Sequence, residues 1–341
     1  MKIRENEEGW KEILIENMDD LWYLKNIIDK NTILRKTVMR REERSDDMER
    51  SKETSRKPVL MEIVPEEVNF QPFTDRLRIQ GVISKGPEGT PGQHQAIYVS
   101  EGENIEIFKE KWDNTSTDLF RDALLKSTNN GLFIVMDDES ATFCLLREYG
   151  LQVQAKIFSG KSGKEYASNY SRKSYFDEIK KNLKSIKFRG NVIITGPGFE
   201  GENFKNYLDE DSTSEMKIYF VPSTREDENA VFEIINTDAV RKILGDSRAS
   251  RERRYMERFL EGLAKNSMVA YGKNEIRKVG EMGAISNLLV LEDRLRKEGT
   301  EELMDLVRSS GGEVVIISAE GEYGDTLKNF GGIVALLRYN I

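Results

Sequence analysis

A buried strand that stops at a glycine-rich loop is the feature of this sequence that most limits how the chain folds. The run NVIIT (191–195) is apolar and β-branched, which predicts a buried strand, and Gly-Pro-Gly-Phe (196–199) follows it at once. Glycines let the backbone turn where a Cβ atom would clash, and the proline between them fixes its φ angle. Phe199 is therefore expected at the tip of a rigid, exposed loop. The alternative is a strand-to-helix turn in which Phe199 packs back under the loop.

The segment that leads into this strand carries an excess of positive charge. Residues 156–189 contain ten Lys and Arg against three Asp and Glu, in a chain whose net charge is −8. Cations neutralise phosphates and tyrosines stack on bases, so the part from 159 to 173 predicts contact with RNA. The cations that we expect to take part are Lys161, Lys164, Arg172 and Lys173. The alternative is a solvated helix face, which is common in highly charged proteins.

Length and composition indicate a charged protein of several domains. A chain of 341 residues exceeds what one hydrophobic core usually supports, so two or three domains are expected. No run of 18 apolar residues is present, and MKIRENEEGW lacks the apolar core of a secretory signal, which predicts a cytoplasmic protein without a membrane partner. The single cysteine, Cys144, excludes an internal disulfide and a cysteine-rich zinc site. We expect it to be a small core residue rather than a nucleophile.

The hydrophobic pattern changes twice along the chain. Residues 1–128 contain one early helix, MDDLWYLKNIIDK with Asn17 or Asp19 as its N-cap, followed by short alternating runs typical of a small barrel or sandwich. Residues 129–240 open with a hairpin-like pair, LFIVMDD and ATFCLLREYGLQVQAKIF, and continue as alternating helix and strand, which predicts an α/β layered domain. Residues 241–341 read as alternating βα units.

The order of these blocks resembles the Pelota family, the archaeal and eukaryotic paralogues of the class-1 peptide release factor. The stretches that carry the resemblance are DDLWYLKNII, RLRIQGVIS, GQHQAIYV, the loop GPGF, VAYGKNEIRKVGEMGAISNLLV and GGEVVIISAEGEYGDTLKNFGGIVALLRY. No single stretch is specific, but six of them in the right order over the whole chain are. The resemblance implies an N-terminal Sm-like β-barrel (1–128), a central release-factor-like α/β domain (129–240) and a C-terminal α/β sandwich like the kink-turn-binding ribosomal proteins (241–341).

The resemblance also implies a function in the rescue and dissociation of stalled ribosomes. The implied partners are a ribosome with mRNA in its decoding site, a translational GTPase of the elongation-factor-1α type, and later a ribosome-recycling ABC ATPase. Pro197, Gly198 and Phe199 match the motif that would contact the GTPase. Release factors hydrolyse peptidyl-tRNA with a Gly-Gly-Gln loop, which this chain lacks. Hydrolytic release is therefore not expected, rescue should require no cofactor, and we expect a monomer.

The first domain offers a second group of cations at the end of a predicted strand. Its members are Arg35, Lys36, Arg40, Arg41 and Arg44. The planar guanidinium of arginine suits phosphates and stacked bases, and the resemblance implies that this domain enters the decoding site, so we expect these residues to contact RNA. They lead into a charged run, 42–57, that predicts a mobile loop, and the six acids in this run favour the alternative of a solvated loop.

A divalent-metal-dependent endoribonuclease is the alternative function, because the family is described as having that activity. Metal-assisted cleavage of RNA requires carboxylates that converge on ions about 4 Å apart. Asp19 and Asp20 are the candidate catalytic carboxylates of such an enzyme, which would require a divalent metal cation, yet helix capping explains this pair as well. Another pair, at 137 and 138, is also explained by a hairpin turn. The single histidine, His94, excludes a mechanism that uses two histidines.

Overall fold

The computed structural model describes residues 1–340 except 42–55, 72–73, 88–89, 126–130, 162–170, 187, 209–215, 236, 246–247 and 320–321. The chain divides into two compact units, residues 1–127 and residues 128–341. All three tryptophans, Trp10, Trp22 and Trp112, belong to the first unit.

The described residues of the first unit form a seven-stranded antiparallel sheet and two α-helices. Its strands are β1 (Lys2–Glu5), β2 (Lys11–Leu14), β3 (Thr32–Arg41), β4 (Arg56–Gln71), β5 (Arg76–Lys85), β6 (His94–Ser100) and β7 (Asn104–Lys109). Its helices are α1 (Met18–Ile27) and α2 (Asn114–Leu125). The strand order is β1-β2-β7-β3-β4-β5-β6. One face of β5 shows why the sheet forms, since Leu77, Ile79, Gly81 and Ile83 are buried while the alternate residues 78, 80 and 82 are partly exposed.

Helix α1 begins and ends where its sequence signals lie. The side chain of Asn17 is the N-cap and accepts a hydrogen bond from the N–H of Asp20 at 3.1 Å. Its apolar residues recur at helical spacing, and Leu21, Leu24 and Ile27 are fully buried. The prediction of an early helix is confirmed, and of the two N-cap candidates the structure uses Asn17.

The last residue of β7, Lys109, is a buried lysine. The Nζ atom of Lys109 lies 2.8 Å from a carboxylate oxygen of Asp29, 3.4 Å from one of Asp113 and 3.0 Å from the hydroxyl of Ser116. A buried cation is tolerated only when such partners replace its water, so this cluster is part of the fold.

The second unit begins with a mixed five-stranded sheet. Its elements are β8 (Gly131–Met136), β9 (Ser140–Arg147), β10 (Gly150–Phe158), α3 (Arg172–Ser185), β11 (Gly190–Thr195), α4 (Glu200–Tyr207), β12 (Met216–Phe220), α5 (Asn229–Ile234) and α6 (Asp238–Leu244). The strand order is β10-β9-β8-β11-β12, in which β8, β11 and β12 are parallel. Helices α3 and α4 cover one face of this sheet and α5 and α6 cover the other. The run 141–158, expected as one half of a hairpin, is two strands, because the chain reverses at residues 148 and 149, directly before Gly150, whose φ is 136°.

The remainder of the second unit is a four-stranded sheet between helices. Its elements are α7 (Arg248–Ala264), β13 (Val269–Tyr271), α8 (Lys273–Glu281), β14 (Ile285–Leu291), α9 (Thr300–Ser309), β15 (Glu313–Ile317), α10 (Glu322–Asn329) and β16 (Ile333–Leu337). The strand order is β13-β16-β14-β15, and a separate apolar core lies on each face. The multidomain fold class expected from the sequence, β followed by α/β, is confirmed, while the limits at 128 and 240 stay predictions.

Candidate functional site

The carboxyl ends of three parallel strands meet at one edge of the five-stranded sheet. Strand β8 ends there before Asp137 and Asp138, β11 before the loop 196–199, and β12 before residues 221–224. Ligands of open α/β sheets bind outside the carboxyl ends of parallel strands. We therefore take this edge, called the β11 edge below, as the candidate site.

Both glycines of the loop are required by its backbone, for different reasons. Gly196 has a φ of 140°, and a Cβ atom at this position would lie 2.0 Å from the carbonyl oxygen of Met136. Gly198 has a φ of 70° and open space around it, so it needs glycine for its conformation alone. The N–H of Ser223 also donates to the carbonyl oxygen of Gly196 at 3.3 Å. The loop is therefore held from β8 on one side and from the end of β12 on the other.

Phe199 is displayed by this loop. Its side chain is 77% exposed, although Thr195 and Gly196 before the loop tip and Gly201 after it are buried. Helix α4, which starts at the next residue, lies so close to β12 that a Cβ atom on Gly201 would be 2.7 Å from the ring of Phe220. Phe204, one turn further, is fully buried. The prediction of an exposed Phe199 is confirmed, and the alternative, in which it packs back under the loop, is wrong.

Two of the cations that the sequence assigned to RNA are ion-paired at the β11 edge. Arg172, at the start of α3, pairs with Glu200, at the start of α4. Lys161 pairs with Asp138 in the turn between β8 and β9. In the same turn, Oδ1 of Asp137 accepts hydrogen bonds from the N–H groups of Glu139 at 2.7 Å and Ser140 at 2.8 Å, which is the hairpin-turn function expected for this acidic pair. Lys164 lies outside the described residues.

A third carboxylate, Glu233, organises the segment after β12. It accepts a hydrogen bond from the N–H of Thr224 at 3.1 Å and one from the hydroxyl of Ser223 at 2.8 Å. The backbone hydrogen bond of Thr224, followed by the bond from Ser223, holds the pKa of Glu233 below its ordinary value. The sequence does not indicate Glu233 as a site residue, because it stands in an ordinary helical pattern and its partner Thr224 is nine positions away.

Helix α3 crosses the sheet next to this edge. Tyr175, Phe176, Ile179 and Leu183 bury its inner face, and the hydroxyl of Tyr175 donates to the carbonyl oxygen of Asp137 at 3.2 Å. Of the cations predicted to contact RNA, Lys173 lies on the exposed side of this helix.

Arg35 in the first unit is fixed between carboxylates on the neighbouring strands. Its Nη2 atom donates to Glu62 on β4 at 2.8 Å, and its Nη1 atom donates to Glu106 on β7 at 3.1 Å. Its guanidinium carbon lies 3.8 Å from the ring centroid of Trp10, a cation–π contact. Burial lowers the pKa of Arg35, but the hydrogen bond and charge of Glu62, together with Glu106, leave it above its ordinary value. The donors of Arg35 are thus used within the sheet.

Lys36 is used in a similar way. Its Nζ atom lies 2.7 Å from a carboxylate oxygen of Glu103 and also donates to the carbonyl oxygen of Tyr98. Arg35 and Lys36 line a shallow cavity of about 310 Å³ on the sheet. Arg40 and Arg41 belong to β3, their side chains are outside the described part, and so is Arg44 with residues 42–55 of the predicted loop. Residues 56 and 57 of that loop begin β4.

Asp19 and Asp20, the candidate catalytic carboxylates, are buried in the first turn of α1. The Oδ2 atom of Asp20 lies 2.7 Å from the α-amino group of Met1 and accepts a hydrogen bond from the N–H of Glu16 at 2.8 Å. Among the residues that the structure describes, no group of three or more His, Cys, Asp or Glu side chains could hold a metal ion. The endoribonuclease alternative therefore has no support from the described residues.

Cys144 lies in the middle of β9 and is fully buried. Burial, and to a smaller extent the charge of Glu228, raises the pKa of its thiol to about 12. The expectation of a core residue is confirmed.

Within the described ranges, no helix combines the length and the apolar character that crossing a membrane requires.

Comparison with known proteins gives one consistent answer over the whole chain. The family model described as the Pelota N-terminal domain matches residues 1–124, and the model described as eRF1 domain 3 matches residues 249–341. The chain is 37% identical over 334 residues to the protein pelota homolog of Picrophilus torridus, covering 97% of this chain and 96% of that protein. It is 34% identical over 346 residues to the protein pelota homolog of Pyrococcus furiosus, covering 98% and 97%.

The fold is also similar to solved structures. The crystal structure of the Thermoplasma acidophilum Pelota protein superposes with a TM-score of 0.81 at 27% identity, over 100% of both chains. The structure of Dom34 from S. cerevisiae, a translation termination-like factor, superposes with a TM-score of 0.56 at 21% identity over 100% of this chain and 99% of that one, which is a likeness of fold.

Proposed function

The chain belongs to the Pelota family, and from that premise we propose that it recognises stalled ribosomes and dissociates them in no-go mRNA surveillance, together with a GTPase of the elongation-factor-1α type. The observation that carries the proposal is Phe199, a phenylalanine 77% exposed on a loop whose two sides are packed. An aromatic residue that the fold presents to solvent on a rigid support suits a protein interface.

The loop 196–199 is the proposed docking element for the GTPase. Pro197 restricts the backbone conformations of the loop before binding, and the two glycines allow its turns. Little conformational entropy is therefore lost when Phe199 enters a pocket of the partner. A buried phenylalanine in such a position typically supplies 2 kcal/mol or more of binding free energy, on the order of a 30-fold change in affinity.

The remaining parts of the proposal concern the ribosome. The first unit would enter the decoding site that holds the mRNA, with Arg40, Arg41 and Arg44 as its proposed RNA contacts. Arg35 is ion-paired with Glu62 and Lys36 with Glu103, so these two cations would stabilise the surface that carries the proposed contacts. The chain has no Gly-Gly-Gln sequence, so we propose that binding energy drives subunit splitting without peptidyl-tRNA hydrolysis. A ribosome-recycling ABC ATPase would bind after the GTPase has left, and the factor would act as a cytoplasmic monomer that requires no cofactor.

The first test compares two exposed phenylalanines on the same edge of the sheet. Phe158, at the end of β10, is 69% exposed and is the matched control for Phe199. The double variant Pro197→Ala with Phe199→Ala should weaken binding of the GTPase at least 30-fold in titration calorimetry, while Phe158→Ala should change it less than twofold. Equal affinity of the double variant and the unsubstituted chain, with both folded, would remove the docking assignment.

The second test concerns the ribosome itself. The purified factor, the GTPase and the ABC ATPase should convert stalled ribosomes into free subunits, which a sucrose gradient separates. Intact mRNA after this reaction is expected, whereas cleavage of the message by the purified factor with Mg²⁺ or Mn²⁺ would favour the endoribonuclease.

A further inference from the structure

The helix that follows the exposed phenylalanine starts without a capping side chain. Phe199 is the N-cap of α4, and its carbonyl oxygen accepts a hydrogen bond from the N–H of Asn203 at 2.9 Å, but its side chain makes no cap hydrogen bond. The side chains that stabilise an N-cap are those of Ser, Thr, Asp and Asn, which accept hydrogen bonds from the first N–H groups of the helix. The start of α4 therefore depends on contacts from other elements.

Glu200, the first residue of α4, makes such a contact. Its carboxylate pairs with the guanidinium of Arg172, the first residue of α3. The side chain of Glu200 is 12% exposed and that of Arg172 is 57% exposed, so the acid is the inner member of the pair. The second carboxylate oxygen, Oε2, is buried and accepts no hydrogen bond from the described residues. Of these residues, Arg172 is thus the only one with an ion pair or hydrogen bond to the Glu200 carboxylate.

This arrangement makes the position of Phe199 depend on Arg172. A buried carboxylate is costly unless a partner offsets its lost hydration. Without Arg172, the carboxylate of Glu200 would be more stable nearer to solvent, and the first turn of α4 would move with it. Phe199 directly precedes Glu200, so the ring would lose its fixed orientation. The rest of α4 would stay in place, because Phe204 is fully buried in the core of the five-stranded sheet.

We propose that the Arg172–Glu200 pair positions Phe199 for docking of the GTPase. Both are positioning residues, since they act by fixing the first turn of α4 against α3 before the partner binds. A side chain that is already fixed loses less conformational entropy on binding. The inference deepens the proposed function and rests on it for the identity of the partner. It also assigns to Arg172 a function other than the RNA contact that the sequence predicts.

A direct contact between Arg172 and the GTPase is the alternative, because more than half of this side chain is exposed. The two explanations differ in what happens when Glu200 is neutral. If Arg172 acts through Glu200, its removal is harmful only where a buried charge needs a partner. If Arg172 contacts the GTPase itself, its removal is equally harmful in both cases. A double-mutant cycle separates these explanations.

The test measures the affinity of the full chain for the GTPase by titration calorimetry. Arg172→Gln should weaken binding about fivefold, but less than about twofold in the background of Glu200→Gln. Arg172→Lys keeps the charge and should remain within about twofold of the unsubstituted chain. Lys161→Gln, which breaks the ion pair with Asp138 at the same edge, is the matched control and should change the affinity less than about twofold.

A second measurement follows the start of α4 without the partner. The N–H of Asn203 closes the first turn, and its hydrogen exchange should be about fivefold faster in Arg172→Gln and unchanged in Lys161→Gln. Unchanged exchange at Asn203, unchanged GTPase affinity in Arg172→Gln, or equal losses in the two backgrounds would overturn the proposal. If the unsubstituted chain did not bind the GTPase, the docking assignment itself would fail and this inference with it. Normal binding by the unsubstituted chain together with any of the contrary results would overturn the inference alone.

Discussion

The sheet of the first unit and helix α3 of the second use the same kind of residue for opposite purposes. In the first unit, Arg35 contacts Glu62 on the neighbouring strand β4 at 2.8 Å, and Lys36 contacts Glu103, in the turn before β7, at 2.7 Å. On α3, Lys181 and Lys184 have no ion-pair partner among the described residues. Both groups appear in the sequence as runs of cations. The difference between them lies in which residues the fold places beside them.

Strand pairing explains the first case. The register sets Glu106 of β7 and Glu62 of β4 directly opposite Arg35 of β3, on either side of it. Side chains directly opposite each other on adjacent strands lie within about 5 Å, close enough for opposite charges to pair. On a helix face that points to solvent, the neighbours are instead residues three or four positions away in the sequence, as Glu261 is to Lys265. A cation in a sheet should therefore be treated as a structural residue until the residues opposite it on the neighbouring strands are known.

The largest expected effect comes from removing the paired cation. Arg35→Ala removes the cation beside Glu106, leaves Glu62 with the more distant Lys85, at 3.8 Å, and uncovers Trp10, so the first unit should lose about 3 kcal/mol of unfolding free energy. Urea unfolding followed by tryptophan fluorescence measures this, because every tryptophan lies in that unit. Lys181→Ala is the control on α3 and should leave the same transition unchanged and the chain's overall stability within about 0.5 kcal/mol. If neither variant lowered the unfolding free energy, the proposed difference between the sheet and helix α3 would be wrong.

A smaller effect is expected at the β11 edge. Gly196 is required both by its positive φ and by the lack of space for a Cβ atom, whereas Gly198 is required by its positive φ alone. Gly196→Ala should destabilise the five-stranded sheet by about 2 kcal/mol or more, since its Cβ atom would lie 2.0 Å from the carbonyl oxygen of Met136. Gly198→Ala, with open space, should cost only about 1 kcal/mol for its positive φ. Hydrogen exchange of residues 131–136 and 190–195 measures both. Faster exchange in the Gly198 variant than in the Gly196 variant would contradict this reading of the loop.

A further modest effect is expected at Glu233, whose carboxylate is held by N–H and hydroxyl donors rather than by a cation. Glu233 is held by N–H and hydroxyl donors, and its pKa is lowered in the folded chain. A carboxyl with a lowered folded pKa stabilises the protein above its unfolded value, near 4.5, and this contribution disappears as the pH falls through the folded pKa. Glu233→Gln should therefore cost about 1.5 kcal/mol at pH 7 and progressively less below pH 4.5. Calorimetry of the second unit's transition measures this difference, and a cost that did not depend on pH would argue against the assigned hydrogen bonds.

Features encoded locally could be predicted from the sequence. Asn17 ahead of an apolar helical pattern marks the start of α1, and two glycines around a proline mark the end of β11 with Phe199 exposed. These depend on residues a few positions apart, where backbone geometry and capping decide the outcome.

Features that depend on distant residues could not be predicted. Arg35 and Glu106 are 71 positions apart, and Arg172 and Glu200 are 28 apart, so no sequence pattern shows that they pair. The break between β9 and β10 was missed for a related reason. Gly150 alone, inside a continuous apolar run, does not distinguish a turn from a tolerated glycine in a strand.

The burial of Cys144 has a practical consequence for fluorescent labelling. With its pKa raised to about 12, roughly one thiol in 10⁵ is ionised at pH 7, and the side chain is sealed inside the sheet. Maleimide dyes should therefore leave the native chain unlabelled. Cysteines introduced at the exposed residues Glu101, in the first unit, and Ser185, in the second, would be the reactive sites. A dye pair at these two positions would let single-molecule energy transfer follow the distance between the units while the factor meets the ribosome.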